Sequence, residues 1–247
     1  MRTPTPTPPA LPTQFAVQCR DLTKSFGTGA NRVQALRGVD LEVATGELLM
    51  LVGPSGCGKT TLLSVLAGTL DSDGGTCRVF GEDVQGMRDG ERTRWRARSI
   101  GFVFQAYNLI PTLSAAENVA IPCVLQGMPR RAAIERGKQA LADVGLADRV
   151  DARPAQLSGG QQQRIAIARA LVHEPRLVVC DEPTAALDHD NGKRVMDLLR
   201  NVAARADRAL VVVTHDSRIF PFADRIAHMD DGRIVRIVDD PAASTAH

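Results

Sequence analysis

Every residue from Leu48 to Val52 is apolar, the pattern of a strand buried on both faces of a parallel sheet. Leu177–Cys180 and Ala209–Val213 have the same character. Phe15–Cys19 and Leu41–Val43 instead alternate apolar and polar positions, as antiparallel strands with one wet face do. Helical spacing appears after Lys59, where Leu62, Leu63, Val65 and Leu66 share one side and predict a helix from Lys59 to about Thr69. Val195, Leu198, Leu199 and Val202 form a second stripe between two of the apolar strands. Gly46-Glu47 and Asp71–Gly75 read as turns. From about Asn108 to Val172 the chain becomes rich in Ala, Gln, Arg and Glu, and Pro111, Pro122, Pro129 and Pro154 divide it into short helices. The pattern predicts an α/β fold: a mainly parallel core sheet, an antiparallel β subdomain and an inserted α-helical subdomain over about 108–172.

The chain has 247 residues, 44% of them hydrophobic, enough for one α/β domain with an inserted lobe. Lys and Arg number 30 against 28 Asp and Glu, a balance that gives no reason to expect nucleic acid as a partner. The basic run Arg92, Arg94, Arg96 and Arg98 around Trp95 reads as a solvated face, with phosphates or lipid headgroups as the other reading. The cysteines at 19, 57, 77, 123 and 180 form no CxxC pair and fit reduced thiols rather than a disulfide frame or a zinc site. No apolar run approaches the roughly 20 residues of a membrane-spanning helix. Residues 1–13, where Thr and Pro alternate, are expected to be a disordered tail, and 239–247 a flexible one. The folded domain is expected over 14–238.

Gly53-Pro54-Ser55-Gly56-Cys57-Gly58-Lys59-Thr60 fits GxxxxGK[ST] between a predicted strand and a predicted helix. Its glycines let backbone N–H groups approach phosphates, Lys59 reaches the β- and γ-phosphates, and the Thr60 hydroxyl can ligate Mg²⁺. Thr61 follows in the first helical turn. The strand Leu177–Cys180 delivers Asp181 to its tip, where ligands bind in open α/β sheets, as a further candidate for Mg²⁺. Glu182, beside it, is the candidate base for an attacking water. His215 follows the strand Ala209–Val213 at a similar tip, placed to hydrogen-bond a γ-phosphate. In Leu157-Ser158-Gly159-Gly160-Gln161 the serine can cap the following helix while the glycines expose backbone donors, so the segment presents an anion-binding helix start with no lysine.

The order and spacing of these motifs resemble the ATP-binding-cassette (ABC) family over residues 15–238. The resemblance implies a P-loop NTPase that hydrolyses ATP with Mg²⁺. It implies that Leu157–Gln161 contacts ATP held by a second copy of the chain, head to tail, and that Asp188 lies in a loop crossing that interface. Ala185 stands where the family often has Ser. It further implies that Gln105 senses the metal and the water, and that Phe26 stacks on adenine; packing in the core is the alternative for Phe26. Gly101–Val119 is similar to the group serving lipoprotein release, macrolide export and cell-division permeases. Thr214–Phe220, Ala223–Ile226 and His228–Arg233 are similar to glycolipid- and haem-exporter ATPases. That group implies separate integral membrane permease subunits, with a periplasmic adaptor as a further partner, and a peripheral position on the cytoplasmic face of the inner membrane. Tyr107–Thr112 is expected beside the groove that receives a permease helix. An ATPase regulating a non-transporting permease-like partner and a soluble ABC ATPase stay open as alternatives.

Overall fold

The computed structural model describes residues 15–239 and residue 241, apart from 186, 204 and 206. The predicted tail 1–13 and nearly all of 239–247 lie outside the described residues. The first strands are β1 (Phe15–Phe26), β2 (Val33–Ala44), β3 (Leu48–Val52), β4 (Gly74–Val79) and β5 (Glu82–Asp83). They are followed by β6 (Ile100–Val103), β7 (Leu177–Asp181), β8 (Ala209–Val213), β9 (Arg225–Asp230) and β10 (Arg233–Val238). The α-helices are α1 (Lys59–Leu66), α2 (Asp89–Ser99), α3 (Ala115–Leu125), α4 (Arg130–Asp143), α5 (Gly159–Leu171) and α6 (His189–Ala203).

The larger sheet has the order β10-β9-β3-β8-β7-β6, parallel except for the antiparallel edge strand β10. One face, with Leu49, Leu51, Val179 and Val211, packs against α1 and the smaller sheet. The other, with Leu48, Met50, Val178 and Val212, packs against α6 and Ile167 of α5. Strands with two apolar neighbours leave no position for a polar residue, which accounts for their unbroken runs. The smaller sheet, β2-β1-β4-β5, is antiparallel. Its strands outrun the alternation seen in the sequence because β1 shifts register between Cys19 and Leu22, where Asp21 adopts φ 48°. An extra residue there reverses which face each side chain takes.

Helix α1 ends at Leu66 instead of running to Thr69. Gly68 takes φ 65°, its N–H bonding Val65 O at 3.0 Å while Thr69 N–H bonds Ser64 O at 2.9 Å. This pair of bonds is a Schellman stop, and glycine supplies its left-handed position.

Helix α2 carries the basic run, and the structure divides that run in two. Arg94 and Arg98 are exposed, as a solvated face requires. Arg92 pairs with Asp71 and Asp89, and Arg96 Nη1 donates to Gly68 O at 2.8 Å. With Trp95 buried, these two arginines fasten α2 to the turn after α1.

Helices α3, α4 and α5 have a core of their own around Val119, Leu141 and Ile165. The loop before α3 is pinned by fully buried Asn118, whose side chain accepts from Ile110 N and donates to Ile110 O, Leu113 O and Ser114 O. At the N-terminal end of β3, Leu48 N–H donates to Asp224 Oδ2 at 2.8 Å, and Arg200 grips the same carboxylate.

Candidate active site

The C-terminal tips of β3, β7 and β8 lie side by side, because Leu51 pairs with Val213 and Val213 with Asp181. The segments leaving those tips are Gly53–Thr60, Asp181-Glu182 and Thr214-His215. In the first, Pro54, Ser55 and Gly56 are exposed, Cys57 is buried, and Thr61 is half-buried in the first turn of α1. A Cβ on Gly53 would sit 2.0 Å from Met229 O, and one on Gly58 2.3 Å from Ala35 O. Both glycines also hold positive φ, 153° and 105°, so the loop's path admits no side chain at either position. Helix α1 starts without a side-chain cap, leaving its first N–H groups available to an anion. Lys59 Nζ folds back onto Gly53 O and Pro54 O, each at 2.8 Å, with Cys57 Sγ at 3.7 Å. Its ammonium is thus held at the mouth of the loop by carbonyls that a phosphate can outcompete through charge.

Thr60 Oγ1 donates to Asp181 Oδ2 at 3.0 Å, which brings together the two oxygen donors that the sequence places 121 positions apart. Glu182 leaves β7 with φ 50°, its N–H held by Val213 O at 2.9 Å. This left-handed turn costs a residue with a Cβ of order 1 kcal/mol and aims the carboxylate across the strand tips. Glu182 Oε1 is 2.7 Å from His215 Nδ1. Glu182 Oε2 is buried with no hydrogen-bond partner among the described residues. A carboxylate with one oxygen anchored and the other empty is built to accept a hydrogen bond from a water.

Gln105 is exposed two residues beyond Val103, which pairs with Cys180; it therefore leaves the sheet beside Glu182, two residues beyond Cys180. Phe26 is 46% exposed at the end of β1 with Lys24 Nζ 5.8 Å from its ring centroid, so the core alternative does not hold.

The start of α5 forms a full capping box. Ser158 Oγ accepts from Gln161 N at 3.3 Å, and Gln161 Oε1 accepts from Ser158 N at 2.9 Å. Ser158 keeps its hydroxyl proton for another acceptor, and the Gly159 and Gly160 N–H groups stay uncapped. A Cβ on Gly159 would lie 2.9 Å from the Tyr107 hydroxyl, and one on Gly160 3.5 Å from Leu187. Leu157 is buried in the helical lobe. No hydrogen bond or ion pair among the described residues joins 157–161 to 53–61. Asp188 caps α6 through Asn191 N–H at 2.9 Å and Asn191 Nδ2 at 2.7 Å, and the backbone donor first, then the amide, draws its carboxyl below the usual range.

Arg169 escaped notice in the sequence because it reads as one more cation in an Ala-rich helix. Its guanidinium donates to Asn108 O at 2.5 Å and Tyr107 O at 2.7 Å, and burial pulls its pKa down. It ties α5 to the segment that follows Gln105.

Residues 36–185 match the sequence profile of the ABC transporter family. The lipoprotein-releasing system ATP-binding protein LolD of Bacteroides thetaiotaomicron is 42% identical over 88% of this chain and 98% of its own length. The macrolide export ATP-binding/permease protein MacB of Azoarcus sp. is 44% identical over 92% of this chain and 34% of its own. This chain thus spans about a third of that relative, and 63% of a Mycobacterium tuberculosis ABC transporter ATP-binding protein. Among solved structures, the dimeric post-hydrolysis cassette MJ0796 bound to ADP and Pi superposes with a TM-score of 0.85 at 36% identity, covering 90% of this chain and 98% of that one. The strand-tip constellation, the capped glycine pair of α5 and these likenesses agree: the chain belongs to the ABC transporter family and carries its ATP-binding cassette.

Proposed function

We propose that this chain hydrolyses ATP as one half of a head-to-tail pair and thereby drives a separate membrane permease. The observation that carries the reading is the pairing of two contacts at adjacent strand tips, Thr60 with Asp181 and Glu182 with His215. The first forms a hard-oxygen pocket beside the lysine loop. The second holds a carboxylate with one free oxygen beside that pocket.

Lys59 and the N–H groups of Gly56, Gly58, Thr60 and Thr61 bind the phosphates, with Gly53, Pro54, Ser55 and Cys57 shaping the loop. Phe26 offers its exposed face to adenine. Thr60 and Asp181, with Gln105 beside them, suit Mg²⁺, which keeps several waters and takes few protein oxygens. When bound, that ion neutralises charge on the β- and γ-phosphates. Glu182 accepts a proton from, or orients, the attacking water, while His215 holds Glu182 in place and faces the γ-phosphate.

Ser158, Gly159 and Gly160 are donors without an anion of their own, which supports a partner's γ-phosphate as their ligand, with Leu157 and Gln161 fixing the helix start and Asp188 on the shared face. The dimeric ADP-bound neighbour supports the same pairing. ATP binding closes the pair and hydrolysis reopens it.

Among the described residues, no helix is long and apolar enough to cross a membrane. The names of the relatives, a macrolide export ATP-binding/permease protein and a lipoprotein-releasing system ATP-binding protein, support a permease partner and an exporter or lipid-extraction role. A place at the cytoplasmic face of the inner membrane and a periplasmic adaptor belong to the same reading. Ile110, 43% exposed beside the Gln105 segment, and Leu125, 73% exposed on α3, are the apolar surface offered to the permease.

The test is affinity capture of the full chain from detergent-solubilised membranes, followed by ATPase assay of the complex. The expected result is a stoichiometric integral membrane permease and ATP turnover. Capture of ribosomal or DNA-bound partners with no permease would overturn the reading.

A further inference from the structure

We propose that Gln163 is a positioning residue for Glu182, joining helix α5, whose start carries Ser158, Gly159 and Gly160, to the Glu182 turn of its own chain. The proposal rests on the reading of Glu182 as the base. Gln163 is 2% exposed, and its Nε2 donates to Pro183 O at 2.7 Å. Pro183 directly follows Glu182, so this bond fixes the peptide by which the chain leaves the left-handed Glu182 turn. Pro183 has no N–H, and its carbonyl is the one backbone group through which this residue can be anchored by hydrogen bonding. The turn otherwise relies on Glu182 N–H to Val213 O before it, and on the long Ala185 N–H to Glu182 O contact of 3.3 Å after it.

Two neighbouring atoms indicate that this contact does more than satisfy polar groups. Gln163 Oε1 and Thr184 Oγ1 are both buried without a hydrogen-bond partner among the described residues. Thr184 is itself 2% exposed and follows Pro183. A buried amide with only half of its capacity used costs free energy that an apolar side chain of similar size would avoid. What the amide supplies in return is a directed bond from α5 to the turn.

That bond has a geometric consequence. The first turn of α5 carries Ser158, Gly159 and Gly160, and Gln163 stands one turn further along the same rigid element. A displacement of α5 when its glycines engage a partner's nucleotide is therefore passed to the peptide beside Glu182. Each chain would thus adjust its own base according to the state of the opposite site.

The test compares Gln163→Met, which keeps length and packing but removes the donor, and Gln163→Glu with the wild type in the permease-bound complex. Nucleotide dissociation constants, kcat and KM are measured across pH, with Glu182→Gln as control. Gln163→Met should bind ATP within about twofold of wild type and lose about tenfold in kcat, the scale of one directed hydrogen bond. The Gln163→Glu carboxylate places an acceptor against an acceptor, and only its protonated form can donate to Pro183 O. Turnover of Gln163→Glu relative to Gln163→Met should therefore rise as pH falls, a trend that loss of packing would not produce. Wild-type kcat in Gln163→Met, or a loss confined to KM, would overturn the proposal. If Glu182→Gln itself keeps turnover, the reading of Glu182 fails first; if Glu182→Gln is inactive and Gln163→Met is not impaired, the positioning role alone fails.

Discussion

His215 Nδ1 lies 2.7 Å from Glu182 Oε1, joining residues that leave neighbouring strands of one sheet. If Nδ1 donates to the carboxylate, Nε2 of a neutral ring bears no proton and cannot donate to a phosphate. In the proposed role, His215 can donate Nε2–H to a γ-phosphate once Nδ1 no longer donates to Glu182, which would link phosphate binding to release of the base. Glu182→Gln keeps an oxygen at the same place but removes the charge that attracts a water proton. We expect it to retain ATP affinity, lose at least about 100-fold in turnover, and accumulate an ATP-bound dimer visible by light scattering. His215→Ala should lower turnover without producing a comparably stable dimer. Wild-type turnover in Glu182→Gln would rule out the base assignment.

Lys59 makes its present contacts with two loop carbonyls, so its removal changes both the free loop and the phosphate site. Losing a charge-assisted phosphate contact of about 1.5 to 3 kcal/mol should weaken ATP binding by roughly tenfold to a hundredfold in Lys59→Ala. Isothermal titration with ATP and Mg²⁺ measures this directly, and thermal unfolding without nucleotide separates it from damage to the loop. Unchanged affinity would remove Lys59 from the phosphate site.

Arg169 spans two successive carbonyls, Tyr107 O and Asn108 O, with the two ends of one guanidinium. A lysine has a single ammonium and cannot reproduce that fork. Arg169→Lys should raise amide hydrogen exchange over residues 106–110 while leaving that of α1 unchanged, and should reduce permease-stimulated ATPase activity several-fold. Equal exchange in the two proteins would show that another contact holds this segment.

The apolar runs at β3, β7 and β8 announce the strands, and with them where the candidate site residues converge, because a strand buried on two faces has no latitude in composition. The phosphate loop and the α5 start are legible for a related reason: each packs its local geometry into consecutive residues. Helix α2 is hidden because a single buried residue, Trp95, anchors an otherwise polar segment, and one anchor makes no period. Strand β9 is hidden by Arg225 and Asp230 at its two ends, and the edge strand β10 by Arg233 and Arg236, charges tolerated at a sheet margin. Gln163 and Arg169 owe their roles to carbonyls 20 and more than 60 positions away, and nothing near them in sequence marks those partners. Asp188 shows the converse: its motif suggests an interface, and the isolated chain uses its carboxylate to cap α6.

Far from the site, Asp224 fastens the base of β3 by accepting from Leu48 N and pairing with Arg200. Burial pushes its carboxyl pKa up, but the Arg200 guanidinium and the Leu48 N–H outweigh burial and bring the net value below the ordinary one. A carboxyl depressed on folding stabilises the protein above its unfolded pKa, about 3.9, and loses that contribution as pH falls through the lower folded value. The Asp224 side chain is 35% exposed, so solvent screening limits the effect to about 1 kcal/mol or less. Asp224→Asn retains an acceptor for Leu48 N–H but leaves Arg200 without its ion pair. At pH 7 it should unfold about 2 to 4 °C below the wild type, and the gap should narrow as pH falls from about 5 to 3. Calorimetry at constant ionic strength reads both quantities. A gap that stays constant across that range would mean that Asp224 contributes shape and hydrogen bonding at this strand end, and no charge.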